Sequence, residues 1–100
     1  MTPVPVFDPV VHAPGRLQIC AILSAADEAE FAMMRDTLQV SDSVLSKHLK
    51  ALEEAGYIKL RKAAAEGRQR TWGSLTAAGR AAFASHVAEL QRLAGMVPRA

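Results

Sequence analysis

The sequence predicts a mainly α, α+β fold: helices to about residue 55, then a two-stranded β-hairpin, then one long terminal helix. Three observations carry this reading. Apolar residues recur at helical spacing through residues 14–25, 31–38 and 41–55. Strict alternation replaces that period at residues 57–62, where Ile58 and Leu60 face one way and Lys59 and Arg61 the other. Helical period then returns from Thr76 onward, through Phe83, Val87, Leu90, Ala94 and Val97. One hundred residues of which half are hydrophobic suit a single domain, residues 1–100, with a limited core.

Residues 1–7 carry prolines and form an extended arm. Asp8 before Pro9 reads as an N-cap followed by the first helical position, opening a short turn over 9–12. The Ala13-Pro14-Gly15 run interrupts it, and Pro14 starts a helix to residue 25 with Leu17, Ile19, Cys20, Ile22 and Leu23 along it. Residues 26–30 are acidic and polar and read as a loop. Residues 31–38 form a short helix with Phe31, Met34 and Leu38 on one face. Gln39-Val40 is a tight connection, and Ser41 caps the next helix, 41–55. Its apolar stripe is Val44, Leu45, Leu49 and Leu52. Gly56 supplies the positive-φ residue that ends it. A strand follows at 57–62, a turn at 63–67, and a return strand at 68–75 with Gly73 marking a bulge or a close approach. Thr76 caps the final helix, 76–97, about 30 Å at ~1.5 Å per residue. Trp72 is read as a core or dimer-edge residue, and Phe31, Met33 and Met34 as core.

Composition removes several classes of function. No apolar run approaches the ~18 residues of a membrane span. The opening MTPVPVFDPV lacks a basic segment, so the expected compartment is the cytoplasm. Cys20 is the single cysteine, which excludes an internal disulfide and reads as a small buried hydrophobe. His12, His48 and His86 are far apart in sequence, without the i, i+4 spacing of metal ligands, so no metal is expected. His48 reads as a packed interface histidine. No nucleophile, base and orienting group stand in a catalytic pattern and there is no glycine-rich phosphate loop, so neither an enzyme nor a cofactor is expected.

Charge is more informative in its distribution than in its total of +2. Residues 1–40 hold five acidic and two basic groups, net −3, while residues 41–80 hold eight basic and four acidic, net +4. A basic excess confined to one segment suits a polyanion. That segment contains two helices joined by a short turn and then a hairpin, the order of a helix-turn-helix with a wing. In a recognition helix over 41–55, Ser41, Ser43, Ser46, Lys47 and Lys50 are the candidate DNA contacts. Serines reach base edges or phosphates without bulk, and lysines neutralise phosphates. Asp42 serves the helix dipole instead. In a wing over 63–70, Arg68 and Arg70 alternate so as to share one side and suit a phosphate or a narrow minor groove.

The run LSKHLKALEEAGYIKLRK (residues 45–62), followed by GRQRTWGSLTAAGRAAF (67–83), resembles the winged-helix transcriptional regulators of the ArsR and MarR type. It is closest to the small stand-alone regulators of about this length, whose start the opening DPVVHAPGRLQICAIL also resembles. The resemblance implies a homodimeric, sequence-specific regulator of double-stranded DNA, often a repressor. It also implies that the last helix and the N-terminal helix build the dimer. Phe83, Val87, Leu90, Ala94 and Val97 are then the candidate dimer residues. The chain lacks the cysteine pair of metal-sensing ArsR proteins and is shorter than ligand-binding MarR proteins, so no effector is named. The alternative is a winged helix used for protein–protein interaction without DNA. The basic, serine-bearing face speaks against it, because such interfaces carry aromatic or aliphatic anchors.

Overall fold

The computed structural model describes residues 2–99. In chain order these form α1 (Pro9–His12), α2 (Arg16–Ala25), β1 (Ala29–Glu30), α3 (Phe31–Leu38), α4 (Asp42–Glu54), β2 (Ile58–Ala65), β3 (Arg68–Leu75) and α5 (Ala77–Ala94). This is a winged helix, mixed α+β, with a long C-terminal helix. The hairpin is part of a three-stranded antiparallel sheet in the order β1-β3-β2. The added strand β1 comes from the segment expected as a loop. Ala29 pairs with Gly73 and Glu30 with Trp72. Two residues carry no periodicity to read, and their partner lies more than forty residues away.

Local chemistry fixes most boundaries. Asp8 caps α1, its Oδ1 accepting from the Val10 and Val11 amides at 2.9 and 3.2 Å. The second helix starts at Arg16 rather than Pro14, because Gly15 adopts φ +88°, outside helical space. Gly56, at φ +80°, ends α4 as expected. The hairpin turn is shorter than residues 63–67. Ala63, Ala64 and Ala65 continue β2, and only Glu66 (φ +55°) and Gly67 (φ +74°) turn. Positive φ at both central residues is the two-residue hairpin geometry that matches strand twist. The last helix stops at Ala94, so Val97 lies beyond it.

The core is Val11, Ile19, Cys20, Leu23, Ala29, Met34, Leu45, Leu49, Leu52 and Ile58. Gly73 marks no bulge, because the ladder runs without interruption from Ile58↔Leu75 to Ala65↔Arg68. Gly73 is buried, and a Cβ there would meet Leu60, Met34 and Leu23 at 3.6–3.9 Å, ordinary contact distances. One core expectation fails, and for Trp72 only the core alternative does. Met33 is exposed, one position off the face that buries Met34. Trp72 is half-buried on the outer sheet face, with the Arg61 guanidinium 5.7 Å from its ring.

Candidate nucleic-acid interface

The fourth helix is anchored through Leu45, Leu49 and Leu52, all buried. That leaves Ser43, Ser46, Lys47 and Lys50 exposed at i, i+3, i+4 and i+7, one face of the helix. Val44 belongs beside this face, not to the buried stripe, and is 39% exposed. Ser41 caps the helix, its Oγ accepting from the Val44 amide at 3.2 Å and lying 3.1 Å from Ser43 Oγ. Arg35 of α3 donates to Asp42 Oδ1 at 3.0 Å and to Asp36 Oδ1 at 3.0 Å. Asp42 is thus an ion-pair partner that fixes the first turn of α4 against α3. Lys50 lies 3.9 Å from Glu54, a loose surface pair that leaves its ammonium available.

The hairpin places Arg68 and Arg70 on one side, as their alternation predicts. Opposed residues of an antiparallel pair share a face, so Arg61, Ala63, Ala65, Arg68, Arg70 and Trp72 all lie on the outer face with Glu30. Arg68 is exposed at the turn. Arg70 is not free. Its Nη1 donates to Glu30 Oε2 at 2.7 Å, and Nη2 lies 3.5 Å from Glu66 Oε2. The Glu30 carboxylate raises the Arg70 pKa further. Arg61 donates to Glu28 at 2.6 Å in the same way. The acidic and basic segments separated along the chain are therefore folded onto each other at the hairpin. The positive charge there that is left without an ion pair, among the described residues, belongs to Lys59, Lys62 and Arg68. Glu28 and Glu30 were missed because a loop gives no facing information.

The candidate dimer residues divide. Phe83 is half-buried and packs on the monomer core, and Val87 and Leu90 are half-buried. Ala94 and Val97 are exposed, and so are Leu93 and Met96, which the sequence reading passed over. Val4, Val6 and Phe7 are exposed apolar residues of the N-terminal arm. The arm docks on α5 through the Val6 amide and the Ser85 carbonyl, 3.1 Å apart.

Beneath the arm lies a polar cluster that no sequence spacing indicates. His86 is fully buried; its Nδ1 accepts from the Asp8 amide at 3.0 Å, and its Nε2 is 3.0 Å from His12 Nδ1. Since Nδ1 accepts, Nε2 carries the proton of the neutral ring and donates to His12. Asp8 Oδ2 accepts from the Tyr57 hydroxyl at 2.6 Å, and the Phe7 ring packs tilted against His12 and edge-to-face against His86. Burial, then the neighbouring His12, lowers the His86 pKa. His48 packs against Gly15, where burial and then Arg16 lower its pKa. No group of three His, Cys, Asp or Glu side chains among the described residues could hold a metal ion. Burial pushes the Cys20 thiol up to about 11, so it is no reactive thiolate. No helix among the described residues is long and apolar enough to cross a membrane.

Residues 16–94 match the family model described as winged helix DNA-binding domain. An uncharacterised protein of Methanocaldococcus jannaschii is 34% identical over 88 residues, 88% of this chain and 91% of that protein. Among solved structures, a transcriptional regulator homologue from Pyrococcus horikoshii OT3 superposes with a TM-score of 0.80 at 26% identity, covering 86% of this chain and 85% of that one. ZitR of Lactococcus lactis, a zinc-responsive MarR family member, gives a TM-score of 0.65 at 26% identity over 88% of this chain and 60% of its own.

Proposed function

The chain belongs to the winged helix DNA-binding domain family, and on that premise we propose that it is a homodimeric, sequence-specific regulator of double-stranded DNA that represses by occupancy. The fourth helix enters the major groove with Ser43, Ser46, Lys47 and Lys50 toward the DNA. Ser41 orders its first turn. The hairpin tip reaches the adjacent backbone or minor groove. Two copies pair through the outer half of α5 and the N-terminal arm, which sets half-sites about one helical turn, ~34 Å, apart.

The observation that carries this reading is the exposed i, i+3, i+4, i+7 face of α4. It presents two hydroxyls and two ammonium groups on a helix locked by three buried leucines. Charge from lysine supplies affinity, and small hydroxyls allow the helix backbone to approach the base edges. The MarR-family character of ZitR supports a regulatory role.

The test is binding of duplex DNA across a salt series, read by fluorescence anisotropy. The K47A/K50A double variant should weaken binding to all sequences. It should also shallow the log–log salt slope by about 0.9 per lost phosphate contact, about 1.8 per subunit. An unchanged slope overturns the assignment of α4. Absence of binding even at low salt favours a protein-interaction module.

A further inference from the structure

The two hairpin arginines stand in different electrostatic situations. Arg68 is exposed and outside the hairpin's ion pairs, whereas Arg70 is bound to Glu30 and approached by Glu66. Both line a cleft of about 360 Å³ between β3 and the start of α3, along with Glu30, Arg35 and Thr71. Arg35 also bonds to Asp42, the first residue of α4. One lining residue of the cleft, Arg35, thus reaches the first turn of the helix assigned to the major groove.

We propose that this cleft seats two successive phosphates of the DNA backbone, one on Arg68 and one on Arg70, and that Glu30 is the carboxylate which the second phosphate displaces from Arg70. The inference rests on the DNA-binding reading above. A carboxylate and a phosphate offer a guanidinium the same oxygens in the same geometry, so Glu30 occupies the place of the ligand. The carboxylate is the fixed partner. Its backbone pairs with Trp72 in the ladder and its side chain is only 18% exposed. Arg70 is the movable one, 33% exposed and already shared with Glu66 at the turn.

The exchange has a signature in salt. Each phosphate neutralised on duplex DNA releases condensed cation, worth about 0.9 in slope. When Arg70 leaves Glu30, the freed carboxylate attracts a cation and offsets that release. Arg70 then adds little to the slope of the wild-type protein, while Arg68 adds the full amount.

Binding of a random-sequence duplex by the full chain across a salt series tests this, with a thermal melt of each variant as the folding control. Glu30→Gln should bind about two- to fivefold tighter per subunit, the fold-change of a surface ion pair no longer broken. Its slope should steepen by about 0.9 per subunit. Arg70→Ala should leave the wild-type slope unchanged but abolish the gain in the Glu30→Gln background. Arg68→Ala, which removes no ion pair, should shallow the slope by about 0.9 per subunit. If Glu30→Gln weakens binding, or leaves the slope unchanged, the pair is a strut and the proposal falls. It falls equally if Arg68→Ala leaves the slope unchanged. If the wild-type protein binds no duplex at low salt, the DNA-binding reading itself has failed.

Discussion

Gly79→Ala is the substitution for which the structure gives the sharpest expectation. Gly79 lies buried in the first turn of α5, against the chain that leaves α4. A Cβ there would sit 1.9 Å from the Tyr57 carbonyl oxygen, 2.7 Å from its carbon and 2.9 Å from Tyr57 Cα. All three are backbone atoms, so no side-chain rotation relieves the clash. Ordinary contacts lie near 3.5 Å, so the turn must retreat by roughly 1.5 Å. That retreat breaks the bond from the Thr76 amide to the Tyr57 carbonyl, 3.0 Å, and the bond from Thr76 Oγ to the Gly56 carbonyl, 2.7 Å. Two such bonds are worth about 2 kcal/mol and overpacking about 1–3 kcal/mol more, against roughly 1 kcal/mol gained in helix propensity. The net loss is about 2–4 kcal/mol, a Tm drop on the order of 10–25 °C for a domain of this size. Circular dichroism melts of the two proteins at one concentration give the answer. A variant melting within about 2 °C of wild type, or above it, refutes the close-approach reasoning.

Acid should weaken the fold through His86. The folded state holds its ring neutral with a pKa below the ordinary 6.5, so the unfolded chain binds the proton first as pH falls. Stability is therefore complete above about pH 6.5 and declines below it by up to ~1.4 kcal/mol per pH unit, until the folded ring protonates too. Urea unfolding at pH 7 and pH 5 should show the loss, His48 adding in the same direction, and equal stabilities would refute it. At the end of α5, Leu93→Glu with Met96→Glu should disperse the proposed dimer in sedimentation while changing monomer stability by about 0.5 kcal/mol or less, since both residues are exposed. Undiminished association in that variant excludes this end of the helix as the interface.

What was legible in the sequence is what local chemistry encodes. Ser41 and Gly56 bound α4 by capping and by positive φ, and the leucine stripe orients it. The alternation of Ile58 and Leu60 with Lys59 and Arg61 gave the hairpin and its outer face. Illegible were pairings between distant residues. Glu30 and Arg70 are forty positions apart, and His12 and His86 seventy-four. Charge counted along the chain does not show these pairings: the acidic groups at 28 and 30 return through β1 to Arg61 and Arg70 of the hairpin. Val44 was misplaced by a smaller effect. It adjoins the buried leucines on the helical wheel but falls on the exposed side of the helix.

Tyr57 ties these observations to function. Its amide bonds to the Leu52 carbonyl at the end of α4, and its own carbonyl accepts from Thr76 at the start of α5. Its hydroxyl donates to Asp8, whose amide in turn donates to His86 in the middle of α5. One residue thus joins α4, α5 and the cap of α1, with Gly79 admitting its backbone at contact distance. In a dimer built on α5 and the arm, the separation of the two recognition helices is set through this joint. A displacement of α5 by an ångström at Gly79 moves α4 relative to the dimer axis as a body. Whatever loosens the His86 cluster acts at the same joint from the other side. In the proposed dimer, the spacing between half-sites would therefore depend on this joint as well as on the residues placed at the DNA.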